Sequence, residues 1–430
     1  MTLPATTDVV VVGSGVTGAA TAAAVAGRGQ HVVLIDKEDG PAREGSGRAQ
    51  GSLRLQGRHG AEFPLAEEAL RLWDEAAEES EFELIKGGNL YFQTRDEERP
   101  ILRSLVAEAH KAGLRNVQLL DVDQVREMLP AATGPFIGAM YSPVDAQCQP
   151  EKGTAHFVEK ARRSGADIHY GVKVTGLRQH VGRIAGVDTT AGRVHADAVV
   201  VAAGVWTPHL AKTVGLKVPI MPVVLSELET VPVKPLFNQT LRAFGFGARQ
   251  RPSGKVVISG GLNAKIRHGA SLADFNGLVY WLPRAWSFRK NIRLKLDLKG
   301  TLRQVRHLST LDTALVPHPS PEPPVDRPSV QGAHDRLSKV IPELAGAAIG
   351  RYWGGLIDMT PDGLPIIDGS AGPQGLTIIT GLSGHGFTIG PVLGEIASDL
   401  SLDGITKREI KEFRLSRFTD SPIHRPEMMI

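Results

Sequence analysis

The residues with the most chemistry to offer lie near the start of the chain. Gly13-Ser14-Gly15-Val16-Thr17-Gly18 follows the apolar run Asp8-Val-Val-Val-Val12 and leads into small residues from Ala19 to Ala26. In that pattern Gly13 permits a tight turn, Gly15 lets a pyrophosphate approach the backbone, and Gly18 lets helix and strand pack closely. The phosphates would sit at the positive end of the helix. A second strand, from His31 to Ile35, ends on Asp36, whose carboxylate can accept hydrogen bonds from a ribose. Glycines alone are weak evidence. Strand, glycine turn, small-residue helix, second strand and terminal acid together make a dinucleotide-binding βαβ unit.

Two further clusters bear on the same chemistry. Val199-Val-Val-Ala-Ala203-Gly204-Val-Trp206 reads as a buried strand ending in small residues, where a ligand can approach the backbone. A core strand and turn explains it equally well. Near the other end, Gly381-Leu-Ser-Gly384-His385-Gly386-Phe387-Thr388 follows the apolar run 376–380 and precedes a helix predicted over 391–402. Amides in such a loop can face a flat ring, and the helix end favours negative charge developing there. His385 has three readings: cofactor contact, substrate ligand, or hydrogen-bonded loop histidine.

Composition bounds the rest. The chain has 430 residues, 42% hydrophobic and 22% charged, which suits a globular protein of more than one lobe. Its net charge of +3 demands neither nucleic acid nor membrane as partner. Cys148 is the only cysteine, which excludes an intrachain disulfide, a cysteine metal cluster and a C-x-x-C pair, and suits the cytoplasm. No metal-binding constellation is visible, and the apolar run after Asp8 reads as a strand rather than a secretory signal. A basic run from Arg284 to Arg306 holds eight Lys/Arg against one Asp; it reads as a solvated helix face, or as a contact for an acidic partner or anionic substrate.

Stepping through the chain, a polar loop over 41–60 precedes a helix over 64–79, a strand over 87–93 and helices over 101–112, 122–128 and 150–165. Short strands follow over 167–170, 173–177, 183–188 and 193–197, then the buried run 198–204. More strands lie between 218 and 261, with a helix around 271–281 and an extended proline-rich loop over 317–324. The predicted fold is α/β (α+β). A discontinuous Rossmann-type domain takes 1–85, 146–215 and 350–430. An inserted mixed antiparallel-sheet domain for substrate or partner takes 86–145 and 216–349.

With Gly13–Gly18 and Asp36, the segments Ser46-Gly-Arg-Ala-Gln-Gly-Ser-Leu-Arg54, Pro64-Leu-Ala with Leu72-Trp73, Thr360-Pro-Asp-Gly-Leu-Pro365 and Ser383-Gly-His-Gly-Phe387 resemble the D-amino acid oxidase/sarcosine oxidase superfamily. The nearest branch is that of sarcosine oxidase β-subunits, opine oxidases and hydrogen cyanide synthases. The resemblance spans nearly the whole chain and is weakest over 216–345. It implies extended FAD, with hydride passing from the carbon beside an amine nitrogen to flavin N5, and an imine that hydrolyses in water. The cofactor carries that chemistry while the protein positions the C–H bond.

Carried over residue by residue, the resemblance implies that Gly13, Ser14, Gly15, Gly18 and Asp36 hold the ADP part and Val174 offers its backbone to the adenine. Ser46, Arg48, Ala49, Gln50 and Gly51 would line the ribityl and ring side. Ala203, Gly204 and Trp206 would close the nucleotide half, and Gly384, His385, Gly386 and Thr388 would approach the ring. Val16, Thr17, Lys37, Ser52, Gly355 and Phe387 are further expected contacts. Arg54, Arg58, His385 and Thr388 are the expected catalytic set. A guanidinium matches a carboxylate bidentately, so Arg54 or Arg58 should meet the flavin or a substrate carboxylate; surface arginines of the loop are the plainer reading.

Departures from the family pattern sharpen the expectation. Trp353-Gly-Gly-Leu-Ile-Asp-Met-Thr360 carries no cysteine where monomeric sarcosine oxidases link FAD through sulfur, so FAD is expected to be non-covalent. Thr388 stands where those enzymes place a carboxylate-binding lysine. Their oxygen-activating lysine has no secure match, although Lys255 and Lys265 bracket the strand Val256-Val-Ile-Ser. The expected enzyme oxidises the C–N bond of a secondary amine or amino/imino acid (sarcosine-, opine- or D-amino-acid-like), as an oxidase or dehydrogenase passing electrons to oxygen or another acceptor. The alternatives are a same-fold FAD dehydrogenase of a C–O bond in a 2-hydroxy acid or polyol, and a flavin-holding subunit of a hetero-oligomer. Homo- and hetero-oligomers are both compatible with the sequence.

Overall fold

Val9, Val10 and Val11 are fully buried, as a parallel strand covered on both faces must be. They belong to the strand Thr6–Val12 at the heart of the first sheet. A computed structural model describes residues 3–260 and 322–420 and the backbone of two short strands, Ile266–Ala270 and Ile292–Leu296. In the first sheet the order is Ile366–Asp368, Leu376–Thr380, Gly192–Val201, Thr6–Val12, Val32–Ile35 and Asp167–His169. All neighbours are parallel except the first pair. This is the Rossmann-type arrangement, with the glycine turn at the carboxyl end of the central strand.

The helix Val16–Gly27 crosses the helix Gly386–Leu402 at very short range. A Cβ added at Gly390 would lie 2.6 Å from a Val16 methyl, and one at Gly394 would lie 2.5 Å from the Ala20 Cβ. The small residues after Gly18 are therefore a packing requirement. They bring the first helix and the last long helix into one layer on the sheet.

A second, mixed sheet lies over the first. Its order is Ile292–Leu296, Ile266–Ala270, Met221–Thr230, Val256–Ser259, Phe246–Gln250, Thr240–Ala243, Asn89–Gln93, Gly138–Ser142 and Gln118–Leu120. Ile349–Met359 pairs along the length of Met221–Thr230. One face is closed by the helix Arg327–Val340, whose Val330, Ala333 and Leu337 are fully buried with Leu90, Phe92 and Leu228. The other face looks towards the glycine turn.

Several elements differ from their expected form. The two strands expected over 193–197 and 198–204 are one, Gly192–Val201; its first residues close a hairpin with Arg183–Thr189 and its last residues enter the parallel sheet. The last long helix starts at Gly386, not at Pro391, which lies inside it. Proline has no N–H, so the Phe387 carbonyl loses its helical partner, and an early turn absorbs that loss at least cost. Gln118–Leu120 and Gly138–Ser142 are strands that no periodicity announced, being three and five residues long. The helix expected over 271–281 and Lys265 lie outside the described residues, as does the basic run 284–306 except for the backbone of Ile292–Leu296, which is a strand and not the helix face expected there. Of the proline-rich run 317–324 only 322–324 is described, without regular structure.

Candidate active site

A cavity of about 970 Å³ runs from the glycine turn to the second sheet. Gly13, Gly15, Val16 and Thr17 line one end, and Gly384, His385, Gly386, Phe387 and Thr388 line another part. At Gly13 (φ +102°) an added Cβ would lie 2.5 Å from the Ala202 carbonyl oxygen; the turn admits no side chain. Gly18 does not touch the cavity. Its Cβ would lie 1.8 Å from the Gly13 oxygen, so it is the residue that lets the turn fold back on the helix.

Asp36 lines the cavity at the end of its strand, held by three donors. Ser14 donates from its backbone N (2.6 Å) and hydroxyl (2.7 Å), and the Glu38 N–H donates at 2.8 Å. Ser14 is itself fully buried behind the wall. Burial raises the Asp36 carboxyl above its ordinary value, against these hydrogen bonds. Lys37 pairs with Glu38 and, at 2.7 Å, with Glu44, which accepts from Trp206 Nε1 at 2.7 Å. Lys37 and Trp206 thus close this end together with Val174, Ala203 and Gly204, all of which line the cavity.

The loop over 41–60 forms the adjoining wall. Val16 N donates to Ser46 Oγ at 2.9 Å, so Ser46 ties the loop to the start of the first helix. Arg48 Nη1 donates to the Gly354 carbonyl at 2.9 Å, beside Gly355. Ala49, Gln50, Gly51 and Ser52 continue the lining. Arg249 Nε donates to the Gln50 carbonyl, while the Gln50 side-chain Nε2 has no partner among the described residues.

Arg54 and Arg58 part company here. Arg58 Nε donates to the Arg54 carbonyl (2.7 Å), Nη1 to Glu62 Oε1 (3.3 Å) and Nη2 to the His385 carbonyl (2.9 Å). Glu62 also meets His385 Nε2 at 2.9 Å, and His385 Nδ1 faces the Ser383 carbonyl at 3.2 Å. Both imidazole nitrogens therefore face oxygens of the protein, which favours the loop-histidine reading of His385. Arg58, Glu62 and His385 form a buried brace between the loop and the last helix. All three line the cavity, as does Arg54, 8% exposed, whose Nη1 differs in having no partner among the described residues. Burial, with Arg58 nearby, lowers its guanidinium to about 10, so it stays charged at neutral pH.

Thr388 is tied down at both ends. Its hydroxyl accepts from Arg54 N at 3.0 Å and its carbonyl from Trp73 Nε1 at 2.8 Å. Trp73 is fully buried and packs against Phe387 at 5.2 Å between ring centroids. Thr388 positions the Arg54 backbone.

Glu62 is the centre of the brace, and its titration is measurable. Burial alone would raise its carboxyl, but His385 and Arg58 bring it down to about 2. Its folded value lies below the unfolded value of 4.5, so its stabilisation is present above that pH and is lost as pH falls towards about 2. Glu62→Gln should cost about 3 kcal/mol near neutral pH, since it leaves Arg58 buried without its counter-charge. Chemical denaturation of both proteins should show the gap closing as pH falls from about 5 to about 2. A gap independent of pH would remove Glu62 from this role.

Sequence reasoning missed Glu62, Asp145 and Glu227. The spacing of Arg58 and Glu62, four apart, could have suggested the first. Asp145 is fully buried and accepts from Leu55 N (2.9 Å) and Ser142 Oγ (3.0 Å), with its carboxyl pushed up to about 6 by burial. No local pattern marks it. Lys255 pairs with Glu229 at 2.9 Å and is not among the residues that line the cavity. Cys148 is fully buried and also stands outside the lining.

A Rossmann-type sheet whose glycine turn opens into a long cavity under a second mixed sheet is the architecture of a flavin-dependent oxidoreductase. The chain matches the FAD dependent oxidoreductase family over residues 8–400 and belongs to it; its cofactor is FAD. It is 26% identical over 422 residues to N-methyl-L-tryptophan oxidase of Salmonella arizonae, covering 96% of this chain and 99% of that protein. Among solved structures it resembles L-amino acid deaminase from Proteus myxofaciens in complex with anthranilate, with TM-score 0.86 and 22% identity over 98% of this chain and 95% of that one. Glycine oxidase from Geobacillus kaustophilus gives TM-score 0.78 and 23% identity over 96% and 99%. No helix among the described residues is long and apolar enough to cross a membrane, and none of their His, Cys, Asp and Glu side chains gather into a metal site.

Proposed function

We propose that this enzyme oxidises the C–N bond of an amino acid or secondary amine whose carboxylate is held by Arg54. The observation that carries this reading is an arginine only 8% exposed, lining the cavity, with a guanidinium donor unused by the described residues. A buried, unpaired cation is costly unless a ligand anion completes it, and a carboxylate fits its planar fork. The activities for which the relatives are named, on N-methyl-L-tryptophan, glycine and L-amino acids, support such a substrate.

The residues present suit FAD. The cradle at Gly13 and Gly15, where a Cβ would meet Ala202 or Ser46, suits the pyrophosphate, and Asp36 suits the ribose. Gln50, with its unpartnered Nε2, and the helix end at Gly386 suit the ring. Bound FAD supplies the two-electron oxidation of the carbon beside nitrogen. Arg54 orients the substrate by its carboxylate, Thr388 fixes the Arg54 backbone, and the brace through Arg58, Glu62 and His385 holds both segments in place. The imine released to water hydrolyses without help from the protein.

The only cysteine being buried away from the cavity supports non-covalent FAD, and its single occurrence supports a cytoplasmic site of action. For the domains we propose 1–85, 146–215 and 360–430 for FAD and the remainder for substrate, moving the last boundary because Ile349–Met359 pairs with the second sheet. Anaerobic bleaching of the flavin tests the reading. Amino acids or N-alkyl amino acids should bleach it while 2-hydroxy acids do not; bleaching by hydroxy acids alone overturns it. Reoxidation by air or by a dye then separates oxidase from dehydrogenase.

A further inference from the structure

Glu227 lines the same cavity, yet nothing so far gives it a task. It sits in the strand Met221–Thr230, where Val223, Leu225 and Glu227 share the cavity face at alternate positions. It is 6% exposed, and its Oε2 has no hydrogen-bond partner among the described residues. Arg249, whose charge acts on it, spends its guanidinium on the Gln50 carbonyl and on Gln149 Oε1 at 3.2 Å. Burial pushes the Glu227 carboxyl up to about 8, against the pull of Arg249 and with a push from Glu151. A neutral, unsatisfied acid in a cavity wall is costly to keep without a ligand.

Register places this acid relative to Arg54. Glu227 pairs with Ser259, Ser259 with Gly247, Gly247 with Arg242, and Arg242 with Tyr91. Paired residues share a face, and Glu227, Ser259, Gly247 and Arg242 all line the cavity. The Arg54 charge acts on Tyr91, and those of Arg249, Glu151 and Arg351 act on Glu227. Four strand spacings separate Glu227 from Tyr91, roughly 19 Å. Between them the side chains of Ser259 and Gln50 sit over Gly247: a Cβ there would lie 2.8 Å from Ser259 Oγ and 3.2 Å from the Gln50 amide. An α-amino group beside a carboxylate held by Arg54 is too close to Arg54 to reach Glu227. A charge several bonds further along the substrate is not.

We propose that Glu227 receives a cationic group at the far end of the substrate, so that the preferred substrates are amino acids or N-alkyl amino acids bearing a second, basic function such as an ammonium or guanidinium. This rests on the reading of Arg54 as the carboxylate site. The acid would ionise as the cation arrives, completing both groups at once. Glu227 then sets specificity, while the oxidised bond lies nearer Arg54.

Two unreactive ligands test this on the FAD-loaded enzyme, read by perturbation of the flavin absorbance. 6-Aminohexanoate should bind at least ~30-fold more tightly than hexanoate, about 2 kcal/mol in binding energy. In Glu227→Gln that ratio should fall to about 3 or less. In anaerobic reduction, lysine or arginine should outpace norleucine, and the variant should lose the preference. Equal binding of the two ligands by the wild type overturns the inference without any variant. So does a variant that weakens both ligands alike, which would make Glu227 a structural or cofactor residue. Reduction by norleucine but not by basic amino acids leaves the amine-oxidation reading standing and removes this one. If no amine bleaches the flavin, the broader reading fails, while the two ligands still report on Glu227.

Discussion

Arg54→Met should raise the dissociation constant of a carboxylate-bearing substrate by ~100-fold or more, with the flavin still bound. The magnitude follows from truncating a buried charge that makes charge-assisted hydrogen bonds to its ligand, typically 2–5 kcal/mol. The Arg54 guanidinium makes no hydrogen bond to the described residues that its loss would break, since Arg58 uses only the Arg54 carbonyl. Folding should therefore survive, and relief of the burial of an unpaired cation should even offset part of the lost packing. Stopped-flow reduction at varied substrate concentration separates the cases. A large rise in the apparent dissociation constant with a modest change in limiting rate supports the assignment. An equal loss for an amine lacking a carboxylate would show that Arg54 serves the cofactor instead. Arg58→Met should behave differently, losing stability through Glu62 rather than substrate affinity alone.

Gly18→Ala should abolish FAD retention and yield a colourless or insoluble protein. The new methyl would fall 1.8 Å from the Gly13 carbonyl oxygen, a backbone atom that no rotamer change can move aside. Small overpacking errors in cores cost about 1–3 kcal/mol, and a backbone collision at the phosphate turn exceeds that class. Gly27→Ala, at the end of the same helix, is the control: nothing lies within 4 Å of its would-be Cβ. It should be neutral or stabilising by up to about 1 kcal/mol. The ratio of flavin to protein absorbance after purification reads both variants. A yellow, stable Gly18→Ala protein would mean that the turn is looser than described here.

The parts legible in the sequence were those written in neighbouring residues. The residue types of the strand Thr6–Val12, its glycine turn and the helix behind it are set by consecutive positions, each with one physical reason to be present, even though Gly192–Val201 and Gly386–Leu402 complete their packing. Arg54 and Arg58 were equivalent at that level because each is an arginine in a polar loop. What separates them is where the chain returns: Glu62 and His385 claim Arg58, and the contact between Arg58 and His385 spans 327 residues. Pro391 misplaced the start of its helix because proline usually opens a helix, whereas here it follows the first turn. Glu227 was overlooked among residues that read simply as strand. An acid between Leu225 and Leu228 in a run patterned for burial is a local inconsistency, and such inconsistencies gather where ligands bind.

The crossing of Val16–Gly27 and Gly386–Leu402 has a consequence for biosynthesis. The first helix presents its small face from the moment it leaves the ribosome, but the glycines that fit against it, Gly390 and Gly394, emerge more than 360 residues later. Until then the phosphate turn has no backing layer, and the ring end of the cavity does not exist. Loading of the cofactor should therefore wait for release of nearly the whole chain, and nascent chains arrested before residue 386 should gain no protection from added FAD during limited proteolysis.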